Sequence, residues 1–168
     1  MSILLTTFPA HRSGNVGVAL ITASTVAMIK ERLPGYVPRV LFRETSLDEL
    51  DIPPGTSIVA PGFSVAEASY SKLYRLYADL DKLDHFYPVG CSLQTDTRAE
   101  SAAEVRHTDS TQQVLRWMAD RFGAFPCRDA LIVDALNRHG IPALNCGDLA
   151  QYDSRYIGRP ISACQAPR

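Results

Sequence analysis

No two of the four cysteines, Cys91, Cys127, Cys146 and Cys164, stand in CxxC spacing. With no export signal in view, the thiols are expected to be reduced. Cys91 and Cys127 have apolar neighbours and read as core residues. The four histidines, His11, His85, His107 and His139, lie far apart, so no metal site is expected. An excess of one charge is also lacking. The formal net charge is -1, and there is neither a basic run nor aromatic–basic interleaving. No nucleic-acid partner is therefore expected. Long hydrophobic runs are missing as well. The opening "MSILLTTFPAHR" has no charge ahead of an apolar run too short for a signal-peptide core. Nothing approaches a membrane span, and a cytoplasmic location is the expectation. The dinucleotide GxGxxG, the P-loop and the GxSxG nucleophile elbow are all absent. No cofactor is expected.

What is present is ordinary globular material. A chain of 168 residues, 46% hydrophobic and 21% charged, is long enough for one domain with its own core. Residues 1–153 are read as that domain. Residues 154–168, which lack periodicity, are read as a tail.

The pattern alternates. "SILLTTF" reads as a buried strand. From Val16 onward, Leu20, Ala23 and Ala27 fall at helical spacing, widened by Ile21, Met28 and Ile29. A stripe that wide predicts a helix well covered by neighbours, ended by Pro34 and Gly35. Val37 to Phe42 is a second strand, "SIVAPGF" a third and "FYPVGCSLQ" a fourth. Between the last two, the spacing predicts a helix over 65–83, with Ser64 as its N-cap. Ser110 and Gln113 have capping-box spacing before Val114, Leu115, Met118 and Phe122. "AFPC" reads as a short strand, Asp129 caps "ALIVDALNRH", and "IPALNC" is a last strand. Strands alternating with helices predict an α/β fold: a Rossmann-like, open, mostly parallel sheet with helices on both faces. Right-handed crossovers then gather the carboxyl ends of the strands along one edge, where such sheets bind ligands.

Three glycine turns fall on that edge. The first, "HRSGNVG", offers backbone N–H groups and a helix start, with His11, Arg12 and Asn15 as polar neighbours. Gly14 and Gly17 let the backbone turn and approach closely. It also reads as a plain strand-to-helix corner. The second, at Gly62, and the third, at Gly90, have less polarity. Tyr70, Tyr74 and Tyr77 share one face of the helix over 65–83 and read as core margin or as a sugar or partner surface. Arg128 is a candidate anion contact. Asp129 and Asp148 read as a cap and a turn residue before they read as acids.

Taken in order, "GNVGVALI", "SIVAPGFS", "YPVGCSLQT" and "CRDALIVDALNRHGIPALNCGDLA" resemble the N-terminal half of the polysaccharide pyruvyl transferase family. The resemblance runs from about Ile3 to Ala150. It implies one half of a glycosyltransferase-B-like architecture and a place in polysaccharide biosynthesis. It also implies a reaction in which phosphoenolpyruvate and a pair of sugar hydroxyls form a pyruvyl ketal. The implied substrate-binding residues are His11, Arg12, Gly14, Asn15, Gly17, Gly62 and Gly90, with Arg128 and Asp129 further along. No catalytic residue is implied. Two departures stand out. The family's acid after the second glycine is Val18 here, and valine neither orients a hydroxyl nor takes a proton. The family's second domain, which supplies basic residues for the anion, has no counterpart in these residues. A homo-oligomer or a separate second-half subunit is the expected source of that wall. The ligands to expect are phosphoenolpyruvate and a sugar or nucleotide-sugar. The rival expectation is a non-catalytic sugar- or partner-binding domain. A third is an unrelated small-molecule enzyme using His11, Asp148 and a serine.

Overall fold

The computed structural model describes residues 3–7, 16–43, 45–46, 49–67, 85–94 and 101–152. They form a mixed α/β arrangement of helices and short parallel strands in small sheets. Strand β1 (Ile3–Thr7) leads to helix α1 (Val16–Arg32), then to β2 (Arg39–Phe42), β3 (Ser57–Pro61) and β4 (Ser64–Ala66). Strands β5 (His85–Val89) and β6 (Ser92–Gln94) precede α2 (Asp109–Phe122), β7 (Phe125–Cys127), α3 (Ala130–Arg138) and β8 (Ala143–Asn145). A single 3-10 turn, Leu149–Gln151, follows.

The largest sheet has the order β2-β1-β3-β5; β4 pairs with β6, and β7 with β8. Every one of these pairings is parallel. A parallel bridge from Cys91 to Cys127 links the first group to the last.

The break between β3 and β4 matches the break between β5 and β6. Ser57 faces His85 before it, and Ser64 faces Ser92 after it, with the same sequence offset. Gly62 therefore falls opposite Gly90, and both have a left-handed backbone, φ 65° and 63°. The ladder bonds run through the break: Gly62 N–H donates to Val89 O at 2.8 Å, and Ser92 N–H to Phe63 O at 2.8 Å. Glycine is required at both positions because left-handed φ costs other residues about 1–2 kcal/mol.

That continuity corrects two sequence expectations. Ser64 is not a helix cap, and residues 65 and 66 are not helical, because their backbone groups are spent on β6. Glu67 is a turn residue, and the rest of the helix expected over 65–83, with Tyr70, Tyr74 and Tyr77, lies outside the described residues, as does the tail. "FYPVGCSLQ" is two strands rather than one, interrupted at Gly90.

Asp129 caps α3 as expected, its carboxylate accepting from Ile132 N–H at 3.1 Å. Gly140, at φ 69°, follows that helix. The cap of α2 is Thr108 rather than Ser110. Its hydroxyl accepts from Thr111 N–H, and Ser110 sits inside the first turn. Helix α1 forms over the expected residues, but its covered stripe is different. Val16 is 79% and Leu20 49% exposed, while Ser24 and Thr25 are buried. Small hydroxyl residues make the closest approach, and Thr25 bonds back to Ile21 O at 2.8 Å.

The core joins Leu41, Ile58, Ala60 and Phe86 of the sheet to Leu115 and Met118 of α2 and Ile132 and Leu136 of α3. Phe63, packed edge-on to Phe86 and tilted against Phe125, fills the space beside the break. Cys91 and Cys127 belong to this core, as their apolar neighbours predicted. No helix among the described residues is long and apolar enough to cross a membrane.

Candidate functional site

The order β2-β1-β3 means that the chain leaves β1 in one direction for β2 and crosses in the other for β3. In open α/β sheets a reversal of this kind is the place where ligands bind, beyond the carboxyl ends of the strands. Here it falls between β1, which ends at Thr7, and β3, which runs on to the break at Gly62. His11, Arg12, Gly14 and Asn15, predicted to line that place, lie outside the described residues. Gly17 is exposed in the first turn of α1. Val18 follows it, half-buried, with its carbonyl accepting from the Thr22 hydroxyl at 2.9 Å.

The other two glycine turns are packed against side chains. A Cβ on Gly62 would stand 3.4 Å from Ile21 Cδ1, so α1 lies directly over it. A Cβ on Gly90 would stand 3.2 Å from Leu149 Cγ. The 3-10 turn carrying Leu149 also meets α1. It is capped by Asp148, whose carboxylate accepts from Ala150 N–H at 2.9 Å, so Asp148 is engaged as a turn residue.

Arg128 stands at the carboxyl end of β7, beside the Gly90 turn. Its backbone N–H donates to Cys91 O at 3.0 Å. Its guanidinium is part-exposed, with Nε 3.4 Å from Asp129 Oδ2. This leaves a cation facing solvent at the sheet edge, held near the α3 start by its neighbour. Cys91, Cys127 and Cys146 also converge here, since Cys146 N–H donates to Cys127 O at 2.8 Å. Burial pushes the Cys91 and Cys146 thiols above their usual range. Protonated thiols are poor nucleophiles, which fits a packing role.

A second polar cluster was not anticipated. Glu67, just past β4, receives Thr108 N–H at 3.0 Å, the Thr108 hydroxyl at 2.5 Å and the Thr111 hydroxyl at 2.8 Å. His107 Nδ1 lies 3.4 Å from Glu67 Oε2. Partial burial alone would raise the Glu67 carboxyl, but these donors outweigh it and hold the pKa down to about 2. Burial pushes the His107 imidazole below its usual 6.5, more than Glu67 raises it. The "HTDST" run signals a helix start, but its carboxylate partner is 41 positions away, and nothing local marks it.

Elsewhere a shallow cleft of about 710 Å³ runs along α3, lined by Ser101, Leu131, Asp134, Asn137 and Arg138 among others. None of the predicted site residues lines it. Among the described residues, no group of three or more His, Cys, Asp or Glu side chains is arranged to hold a metal. Comparison with protein-family models, curated proteins and solved structures finds no match to this chain.

Proposed function

We propose that this chain is a Rossmann-like domain of the polysaccharide pyruvyl transferase kind, corresponding to one half of a glycosyltransferase-B-like architecture. Its crevice between β1 and β3 holds phosphoenolpyruvate and a saccharide or nucleotide-sugar. The observation that carries the reading is the reversal of strand order at β1. It pairs β1 directly with β3, the strand that runs on to the Gly62 break. In the proposed reaction, one sugar hydroxyl adds to C2 of phosphoenolpyruvate as C3 takes a proton. A second hydroxyl then displaces phosphate from the same carbon, leaving the ketal and inorganic phosphate. His11, Arg12 and Asn15 are the proposed polar contacts, and Gly14, Gly17, Gly62 and Gly90 supply close backbone. A second copy of the chain, or a separate subunit, is proposed to close the crevice.

A thermal-shift titration with phosphoenolpyruvate and nucleotide-sugars, run beside a phosphate-release assay, tests this. A ligand at a hundred times its dissociation constant stabilises the fold by about 2.7 kcal/mol. A saturable shift that Asn15→Ala abolishes, together with phosphate release dependent on the saccharide, is the expected result. No shift with any of these ligands overturns it.

A second reading, a non-catalytic sugar- or partner-binding domain, is favoured by two features. Val18 stands where the family has an acid, and Gly62 and Gly90 lie under Ile21 and Leu149 rather than open to a ligand. A shift with saccharide alone and no phosphate release selects this reading.

A further inference from the structure

We propose that Glu67 and His107 form an acid-released latch between the end of β4 and the head of α2. The inference is independent of the proposed reaction. The His107 side chain is only 2% exposed. Its Nδ1 approaches Glu67 Oε2 to 3.4 Å, and neither Nδ1 nor Nε2 has a hydrogen-bond partner among the described residues. A neutral ring tolerates a bare Nε2. An imidazolium does not, because its second N–H then needs an acceptor that the closed arrangement lacks.

The surroundings discourage that proton further. Among the described residues, the charged or titratable groups of the elements around His107 are Glu67 after β4, Arg116 on α2 and His139 at the end of α3. The His139 ring centre is 6.4 Å from that of His107. Arg116 donates through Nε and Nη2 to His139 O, at 3.3 and 2.8 Å. A charge arriving on His107 is therefore favoured by the Glu67 carboxylate and opposed by the His139 imidazole. Arg106 and Asp109 of its own segment are exposed. Lifting residues 105–108 lets Nε2 reach water, and it breaks the Thr108 bonds to Glu67 that tie β4 to α2.

The sign is fixed. Burial lowers the folded-state pKa of His107 below 6.5. The opened state then binds the extra proton, and closure weakens as pH falls from above 6.5 toward the folded value. Glu67 stays ionised through this range, since its own pKa is about 2. The response near pH 6 thus belongs to the histidine.

Hydrogen–deuterium exchange on the full chain tests the latch, with rates corrected for intrinsic pH dependence. The opening constant of amides over 105–112 is expected to rise as pH falls through 6.5, by at most about tenfold per pH unit, the limit for one proton. Amides of α3 are expected to hold steady. His107→Gln is expected to flatten the response, and His139→Gln to retain it. An NMR titration of the unmodified protein gives a measurement free of any folding defect in the variants. His107 is expected to titrate below 6.5, and lower still in Glu67→Gln, a shift that a purely structural contact would not produce. A His107 pKa at or above 6.5 overturns the latch. So does an unchanged pH response in His107→Gln, or exchange that rises equally in α3.

Discussion

The two faces of the parallel sheet are built on different terms. Cross-strand rows separate them. Leu41, Ile58, Ala60 and Phe86 point to one side, while Val40, Val59 and Tyr87 point to the other. The first side is sealed: Ile58 and Phe86 are fully buried against large side chains of α2 and α3. On the second, Val40 is 47% and Tyr87 45% exposed. Right-handed crossovers send α1 to this second face, because β1 to β2 runs one way across the sheet and β5 to β7 to β8 runs the other. Among the described residues α1 meets it, with Ile21 over Gly62 and with Ser24 and Thr25 as its buried positions. Parallel sheets ordinarily have both faces covered. The contrast teaches that stability is concentrated on the α2–α3 side, while the α1 side follows from the reversal of strand order at β1.

The largest effect should come from the sealed face. Phe86→Ala is expected to cost about 3–5 kcal/mol in urea denaturation, as buried aromatic truncations do. Tyr87→Ala, one residue along and on the other face, should cost well under half as much. Equal losses would break the comparison. Gly90→Ala comes next, at about 1–2 kcal/mol for the left-handed backbone, plus crowding against Leu149. Gly35→Ala, at φ 84° with nothing near its missing Cβ, should show the backbone cost alone. Asp129→Ala removes the cap of α3 on the sealed side, and about 1 kcal/mol is expected.

Acid titration sharpens the comparison at the α2 head. Because Glu67 has a lowered pKa, its stabilisation is full above 4.5 and is lost as pH falls toward 2. Glu67→Gln should remove that low-pH segment of the stability profile, measured by urea midpoint, and leave the Asp129 cap unaffected. Smallest of all, Val40→Thr on the open face should stay within about 0.5 kcal/mol of the parent.

Much of the sealed side was legible in the sequence. Asp129, three positions before Ile132 and ahead of an apolar periodic run, carries its cap on its face. The short apolar runs around Val40, Ile58, Phe125 and Leu144 read as strands because β-branched and aromatic residues cluster between turn residues. The open side was harder. The stripe predicted at Leu20, Ala23 and Ala27 is one of several apolar faces of α1, and hydroxyl residues such as Ser24 and Thr25 carry no core signal in a sequence. The helical spacing over 65–83 extends in sequence back to Val65. The strand at Ser64–Ala66 exists only because Ser92–Gln94 lies beside it, and pairing across such a distance has no local signature. The Glu67–His107 contact is hidden for the same reason. Of the predicted crevice, Gly62 and Gly90 were correctly read as turns, and their covers, Ile21 and Leu149, were not foreseen.

The facing breaks at Gly62 and Gly90 have a consequence for how this chain can change over generations. Two strands creased on one rung keep their pairing only while both segments retain equal length. A single-residue insertion in either one moves Ser64 off Ser92 and turns every later side chain to the wrong side. The same insertion made in both strands would keep the rungs matched. The two glycine segments therefore behave as one heritable unit, in which a tolerated change on one strand requires its counterpart on the other.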